Sequence, residues 1–346
     1  MSDTLVYDSA LRLFADLATP AVINAAEAGT WPESLWDAVT AGGFLDVLDG
    51  GGDGVPGGVE DAVAVLRAAG RHAAPIPLPE TMLARWLARR ADLVLPEGPL
   101  ALVVETPEES FELSRDGRSL RLAGTAAAVP WARQARAIVV STREATAVLI
   151  PALTDISPGA NLAGEPRDGV RFDMILQPAA VAAAPARAGA ATAFRLGALF
   201  RAAQMAGALE AALELAVTYA NDRVQFGRPI GKFQAIQQQL ALAAEQVAAS
   251  GVAVAAAASA VAEGDIEFAA AAAKLRVGEA AGKVCDIVHQ VHGAIGFTHE
   301  HRLHHFTRRL WSWRDEFGVE SQWAHDLGRL MVAEGPDGLW PFLAAR

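Results

Sequence analysis

Tyr219-Ala220-Asn221-Asp222-Arg223-Val224-Gln225-Phe226-Gly227-Arg228-Pro229-Ile230-Gly231-Lys232-Phe233-Gln234 is the stretch from which this chain is best read. Two glycines and a proline here break one long apolar-striped run, Phe194 to Asp222, before a second begins at Phe233 and continues to Ala262. A third run, Ile266 to His292, follows. No proline interrupts any of the three, which predicts long helices packed as a bundle. Arg223, Arg228 and Lys232 gather at the break. A guanidinium beside a backbone-exposing turn suits a diphosphate, because arginine offers forked donors and glycine permits close approach. A helical corner with solvated basic side chains is the alternative, and the residues alone leave both open.

Working outward, Gln290-Val291-His292-Gly293-Ala294-Ile295-Gly296-Phe297-Thr298 ends the third run in a Gly-rich turn. Backbone N–H groups become available to an anion there, although glycine is also the commonest way to stop a helix. An aromatic-rich region with Trp311, Trp313, Trp323 and Trp340 closes the chain. Upstream, from about Pro99 to Val181, the period changes. Leu100 to Val104, Leu120 to Leu122, Ala137 to Ser141, Thr146 to Ile150 and Val170 to Ile175 are short β-rich runs. Turns such as Arg115-Asp116-Gly117 and Ser157-Pro158-Gly159 separate them, predicting a small antiparallel β domain. Before it, Ser9 to Ala18, Glu33 onward, Val59 to Ala69 and Thr81 to Arg90 read as short helices. The Gly-rich loop Gly50 to Gly58 and the Pro75-Ile76-Pro77-Leu78-Pro79 turn interrupt them. The fold class expected is α+β, mostly α, with an N-terminal helical domain over 1–95, a middle β domain over 96–188 and a C-terminal helical bundle over 189–346.

The 346 residues are 52% hydrophobic and 20% charged, enough apolar surface to offset chain entropy. A formal net charge of −11 repels phosphates at long range, so generic nucleic-acid binding is not expected. One cysteine, Cys285, excludes an internal disulfide. The N-terminus carries acids where a secretory signal carries bases. Gln246 to Ala262, with Ser250, Gly251 and Ser259, reads as a buried helix rather than a span. No membrane association is expected, and the expected location is cytoplasmic. Seven of the eight histidines lie between His289 and His325, without a cysteine or spaced acid to complete a ligand set, so no metal is expected.

The two motif stretches together, RVQFGRPIGKFQAIQ and QVHGAIGFT, closely resemble the acyl-CoA dehydrogenase family, and the order of zones fits that fold across essentially the whole chain. The resemblance implies FAD as cofactor, its ADP part held between neighbouring subunits. Arg223 would face the pyrophosphate with Gln225 and Phe226 beside it. Gln234 would contact the adenosine end, and Gln290, Gly293 and Gly296 would form the opposing cradle. It also implies a tetramer, an acyl-CoA substrate, an electron-transfer acceptor, and α,β-dehydrogenation with a glutamate as base.

That base is where the chain departs from the family. Counted from Gly293, the position of the usual Glu-Gly-Thr motif is Phe317-Gly318-Val319, and the alternative position near Gly197-Ala198 carries no acid either. Glu316 and Glu320 are the local candidates, with pairing to Arg309 or Arg314 as the competing reading. The flavin and substrate loop expected after Val103-Val104-Glu105-Thr106-Pro107 proceeds to Glu108-Glu109-Ser110 without its Gly-Ser-Asp part. Around Val129-Pro130-Trp131-Ala132-Arg133 no matching Thr or Ser occurs. These departures resemble the short, base-lacking subunits of heteromeric acyl-CoA dehydrogenases of bacterial steroid side-chain degradation, which pair with a longer chain as α2β2. A self-sufficient homo-oligomer using Glu316 or Glu320, and a non-catalytic flavin- or acyl-CoA-binding protein, are the alternatives.

Overall fold

The computed structural model describes residues 5–49, 58–106, 111–116, 119–149, 154–184 and 188–344. The loop Gly50 to Gly58 (except Gly58), Gly117 of the Arg115-Asp116-Gly117 turn, Ile150, and Pro107 with Glu108-Glu109-Ser110 lie outside the described residues. Five helices come first: α1 (Leu5–Leu17), α2 (Pro20–Glu27), α3 (Glu33–Ala41), α4 (Val59–Arg71) and α5 (Leu78–Arg90). Pro79, expected in a turn or at the entry to the next element, stands in the first turn of α5, where a missing N–H costs no hydrogen bond. By internal contacts the chain falls into two units, Asn24–Gly58 with Pro75–Gly197, and Met1–Ile23 with Val59–Ala74 and Ala198–Arg346.

The first of these units is built on two four-stranded sheets. One runs in the order β1 (Leu100–Val104), β4 (Ala137–Ser141), β5 (Ala145–Leu149), β8 (Val181–Ala183). The other runs β2 (Phe111–Asp116), β3 (Ser119–Pro130), β7 (Arg167–Leu176), β6 (Asp155–Ser157). Ala101, Val103, Ile138, Val140 and Leu149 from the first sheet share a core with Leu122, Ala126, Val170 and Phe172 from the second. The wholly antiparallel expectation is corrected at one ladder, because β1 pairs β4 in parallel, Leu100 opposite Ala137. A parallel pair needs a long crossover, and the β2–β3 excursion into the other sheet supplies it. α5 packs on β1, and Thr81 Oγ1 accepts from the Leu100 N–H at 3.1 Å. With both faces covered, β1 and β4 read as unbroken apolar runs. β3 extends well past the expected Leu120 to Leu122. Its Ala123 to Ala128 segment is alanine-rich, but pairing to β7 as far as Ala126, and to β2 at Ala123 and Gly124, holds it extended.

The three long runs form helices as expected: α6 (Ala190–Asp222), which belongs to the other unit from Ala198 onward, α7 (Gln234–Ala262) and α8 (Ile266–His292). A two-residue β-hairpin, β9 (Val224–Gln225) with β10 (Arg228–Pro229), joins α6 to α7. α9 (Leu303–Asp315) and α10 (Glu320–Ala344) complete the bundle, and α10 breaks at Gly335 before Pro336. α4 lies against α6 with almost no side chain between them. A Cβ added at Gly207 would collide with the Arg67 carbonyl, and one at Gly70 with the Gln204 carbonyl. Beside this crossing, Arg67 and Arg71 pair with Glu210, and Arg71 also with Glu214 at 2.6 Å.

The expectation of a buried helix at Gln246 to Ala262 is not met. α7 buries a single stripe, Ala243, Val247, Ser250, Val254, Ala257 and Ala258, at the alternating three- and four-residue spacing of one helix face. Only 22% of its most apolar window is buried, with Leu242 at 52% and Val252 at 70% exposure. By length and composition alone it could cross a bilayer, but its apolar residues run all round the helix and α4 and α8 cover one side of it.

Candidate functional site

The turn between α6 and α7 is built by Phe226-Gly227. Both carry positive φ, 53° and 79°, the pair of conformations that a tight type I′ hairpin turn requires. Glycine adopts this freely, and Phe226 does so at a cost. Phe226 is 92% exposed, although its ring meets Phe233 edge-on at 6.0 Å. Arg228 lies over the Phe233 ring at 4.3 Å and braces the hairpin. The Ile230 N–H donates to the Arg223 carbonyl at 2.8 Å, closing the loop behind it. Arg223, Gln225 and Gln234 all face solvent, and among the described residues no carboxylate pairs with Arg223.

At the end of α8 the chain turns through Gly293, at φ 64° and ψ −142°, a region only glycine enters without strain. Nothing lies within 4 Å of where its Cβ would stand. Gly296 is different: it is buried, and a Cβ there would press on the His292 Cβ at 2.9 Å. Gly296 is therefore needed for packing this turn onto the helix, whereas Gly293 leaves open backbone. Gln290 is exposed.

Two histidines hold the turn, and neither was singled out from the sequence. His292 stacks on Tyr219 at 4.7 Å while its Nδ1 meets the Val288 carbonyl at 2.6 Å. His289 stacks on Trp311 at 5.4 Å, and its Nε2 meets Thr307 Oγ1 at 3.1 Å. Burial lowers the pKa of both imidazoles, and for His289 the neighbouring His292 adds to the effect. The Tyr219–His292 stack fastens the end of α6 to the end of α8. Alternating helix direction explains it, since the exit of α6, the entry of α7 and the exit of α8 share one end of the bundle. That end gathers Arg223, Gln234, Gln290 and Gly293. An exposed arginine without a counter-ion and an unobstructed glycine backbone fit the phosphates of a dinucleotide such as FAD.

The acidic candidates lie at the α9–α10 turn, and both are engaged. Glu316 meets Arg201 Nη2 at 2.6 Å, and that arginine side chain is itself 3% exposed. Glu320 meets Arg314 Nε at 2.7 Å. Burial pushes the Glu320 carboxyl up, but the Arg314 hydrogen bond and charge, with that of Lys274, outweigh it and leave it below the ordinary glutamate range. Glu320 thus takes Arg314, one of the arginines expected as a partner, and Glu316 pairs with Arg201. Phe317 and Gly318, at φ 54° and 90°, turn the chain between them. Phe317 offers its carbonyl to the Trp323 indole N–H at 3.0 Å.

Beneath this turn lies Lys274, 1% exposed, donating to the Arg314 carbonyl at 2.5 Å and the Gly318 carbonyl at 2.8 Å. Burial is the largest influence on it and pushes the ammonium down to about 8, against the pull of Glu320 and Glu316. Lys274 was also missed from the sequence. The available signal was its place four residues after Ala270 and four before Gly278, on the buried stripe of α8. Gly278 leaves room for the Glu320 carboxylate, which a Cβ there would push aside.

Residues 188–314 match the model of the acyl-CoA dehydrogenase C-terminal domain. Acyl-CoA dehydrogenase FadE27 of Mycobacterium tuberculosis is 32% identical over 291 residues, 74% of this chain and 76% of that protein. The fold is that of the ChsE4-ChsE5 complex from Mycobacterium tuberculosis, at TM-score 0.85, 24% identity, 97% of this chain and 99% of that one. A solved structure described as a Tcur3481-Tcur3483 steroid ACAD variant is 25% identical at TM-score 0.84, covering 95% of this chain and 97% of that one. A further curated relative is 40% identical over 102 residues only, so that the chain spans 26% of its length. With a relative matched over three quarters of its length and the same fold end to end, the chain belongs to the acyl-CoA dehydrogenase family.

Proposed function

We propose that this chain is the base-lacking subunit of a heteromeric FAD-dependent acyl-CoA dehydrogenase, paired as α2β2 with a longer paralogue that supplies the proton-abstracting carboxylate. The observation that carries the reading is the engagement of both candidate acids. A glutamate serves as base for an α-proton when burial raises its pKa toward neutrality. Glu316 and Glu320 are instead each within 2.7 Å of an arginine nitrogen. For Glu320 this partner stabilises the carboxylate and weakens it as a base, and Glu316 is held in its ion pair with Arg201. Phe317, at the counted position of the family's glutamate, has no proton acceptor in its side chain.

In this reading the chain's own contribution is to half of the cofactor cleft. Arg223 would hold the pyrophosphate in a forked hydrogen bond, flanked by Gln225 and Phe226, with Gln234 toward the adenosine. Gln290 and Gly293 would line the facing wall of the site across a subunit boundary, with the buried Gly296 packing that turn onto its helix. FAD, when bound, supplies the acceptor for the hydride leaving the acyl β-carbon, and its electrons pass on to an external acceptor. The outward flank of α7, with Leu242 and Val252 exposed, supports association, since contiguous exposed apolar surface marks an interaction face. The Tcur3481-Tcur3483 structure is described as a steroid enzyme, and it supports a bulky acyl group, such as a steroid side chain, as the substrate class here.

The test is anaerobic titration of the FAD-reconstituted chain with acyl-CoA thioesters, alone and after co-expression with the longer paralogue. Bleaching of the flavin in the complex only is the expected result, and it should persist in complexes carrying Glu316→Gln or Glu320→Gln. Bleaching by the chain alone that either substitution abolishes would overturn the proposal in favour of a self-sufficient enzyme.

A further inference from the structure

The turn that follows α8 is closed by a histidine at each end. His292, the last residue of α8, and His301, two residues before α9, bring their rings to 4.5 Å of one another. Tyr219 of α6 stacks on the first at 4.7 Å and meets the second edge-on at 6.2 Å. We propose that His292 and His301 are positioning residues for the cofactor: as an uncharged pair they clamp this turn to α6 and hold the open Gly293 backbone against the dinucleotide, and the clamp releases when the pair takes up a proton. The inference rests on the reading that this end of the bundle receives the ADP part of FAD.

The geometry fits uncharged rings. His292 Nδ1 lies 2.6 Å from the Val288 carbonyl, which can only accept, so Nδ1 carries the hydrogen and Nε2 keeps the lone pair. That Nε2 is buried and has no hydrogen-bond partner. A proton placed there is a buried, charged donor without an acceptor. His301 shows the converse arrangement: its Nδ1 accepts from the N–H of Leu303, the first residue of α9, at 3.3 Å. A proton on that nitrogen removes the acceptor and leaves one of the first N–H groups of α9 unmatched.

The surroundings do nothing to offset a positive charge. Burial pushes both imidazoles below the ordinary histidine range, against the Val288 hydrogen bond at His292. At His301 the neighbouring His292, Arg302 and His304 lower it further. His289, one turn earlier in α8, is likewise lowered by burial and by His292, with Asp286 opposing. No carboxylate contributes to the shift of His292 or His301, and Glu300 and His299 in the same turn are exposed. The opened turn therefore binds more protons than the closed one below about pH 6.5, and acid favours opening.

Two measurements on the full-length chain test this. Amide hydrogen exchange without cofactor should show protection falling across the turn and the start of α9 between about pH 7.5 and pH 5.5, once corrected for the intrinsic pH dependence of exchange, while the interior of α6 keeps its protection. FAD affinity, followed by flavin fluorescence over the same range, should weaken with acid, with Kd rising toward about tenfold per pH unit for each proton taken up. His292→Asn can place an amide donor near the site of Nδ1 but takes no proton. It and His301→Asn should each flatten that rise, whereas His325→Gln, at an exposed histidine of α10, should leave it as it is. A pH-independent FAD affinity in the unaltered chain overturns the proposal, as does an unchanged rise in either Asn variant, and both results leave the cofactor reading standing. Protection that stays the same at pH 5.5 also overturns it, and that result depends on no variant folding. Failure to bind FAD at pH 7.5 refutes the cofactor reading itself, and the positioning role with it, whatever the exchange shows.

Discussion

Replacing Lys274 by Met removes a buried ammonium whose titration should be visible in the stability of the whole bundle. The native pKa is held near 8 against an ordinary 10.5, chiefly by burial. The unfolded chain therefore binds one more proton between those values, and stability rises with pH across that window. Above 10.5 both states are neutral and the penalty is gone; below 8 both are charged and it is complete. Integrated from pH 7 to pH 9.5, the relief is about 2 kcal/mol, at 1.36 kcal/mol per unit of pKa difference. Lys274→Met should lose this slope, whatever its stability at pH 7. There two effects oppose: the charge no longer needs burying, but the Arg314 and Gly318 carbonyls lose their donor, at about 1–3 kcal/mol each. Urea denaturation at half-unit pH intervals for both proteins is the assay. Comparing the two cancels Tyr7, whose raised pKa acts in the opposite sense from pH 10 upward. Parallel stability curves for the two proteins would refute the burial argument, because they would mean that Lys274 titrates alike in both states.

Gly207→Ala drives a methyl into the Arg67 carbonyl, which belongs to backbone and cannot swing aside. A loss of about 3 kcal/mol, the upper end of ordinary overpacking, is expected in chemical denaturation. Arg223→Gln should leave the fold intact, since the side chain is exposed and unpaired, yet weaken FAD retention about 10- to 100-fold, the worth of a charge-assisted contact. The ratio of flavin to protein after gel filtration measures it.

Long helices were the most legible part of the molecule. α8 begins and ends where its sequence run does, because Gly264-Asp265 and Gly293 punctuate an unbroken apolar stripe. Strands were harder. β1 and β4 showed as continuous apolar runs, but their parallel pairing depends on β2 and β3 joining a different sheet, a decision made by side chains far apart in sequence. The Ala-rich half of β3 was hidden by its own composition. At the candidate site, Arg223, Gly293 and Gly296 were visible through turn chemistry. The arginine that engages Glu316 was not, since Arg201 sits more than a hundred residues upstream within an apolar helix. Lys274 was concealed in the same way, as a lone cation in an alanine run whose carbonyl partners come from another helix end.

The outward flank of α7 bears on how the protein must be made. A ribosome releases this chain with Leu242, Val252 and a row of alanines in water, and such a surface attracts chaperones, proteases and other unfinished chains alike. On the proposed pairing with a longer chain, copies that find no covering surface are removed or aggregate, so the steady-state amount is set by whichever of the two chains is scarcer. Balanced synthesis, rather than promoter strength for this gene alone, then determines how much survives, and the soluble yield of this chain should rise when it is co-expressed with the longer one.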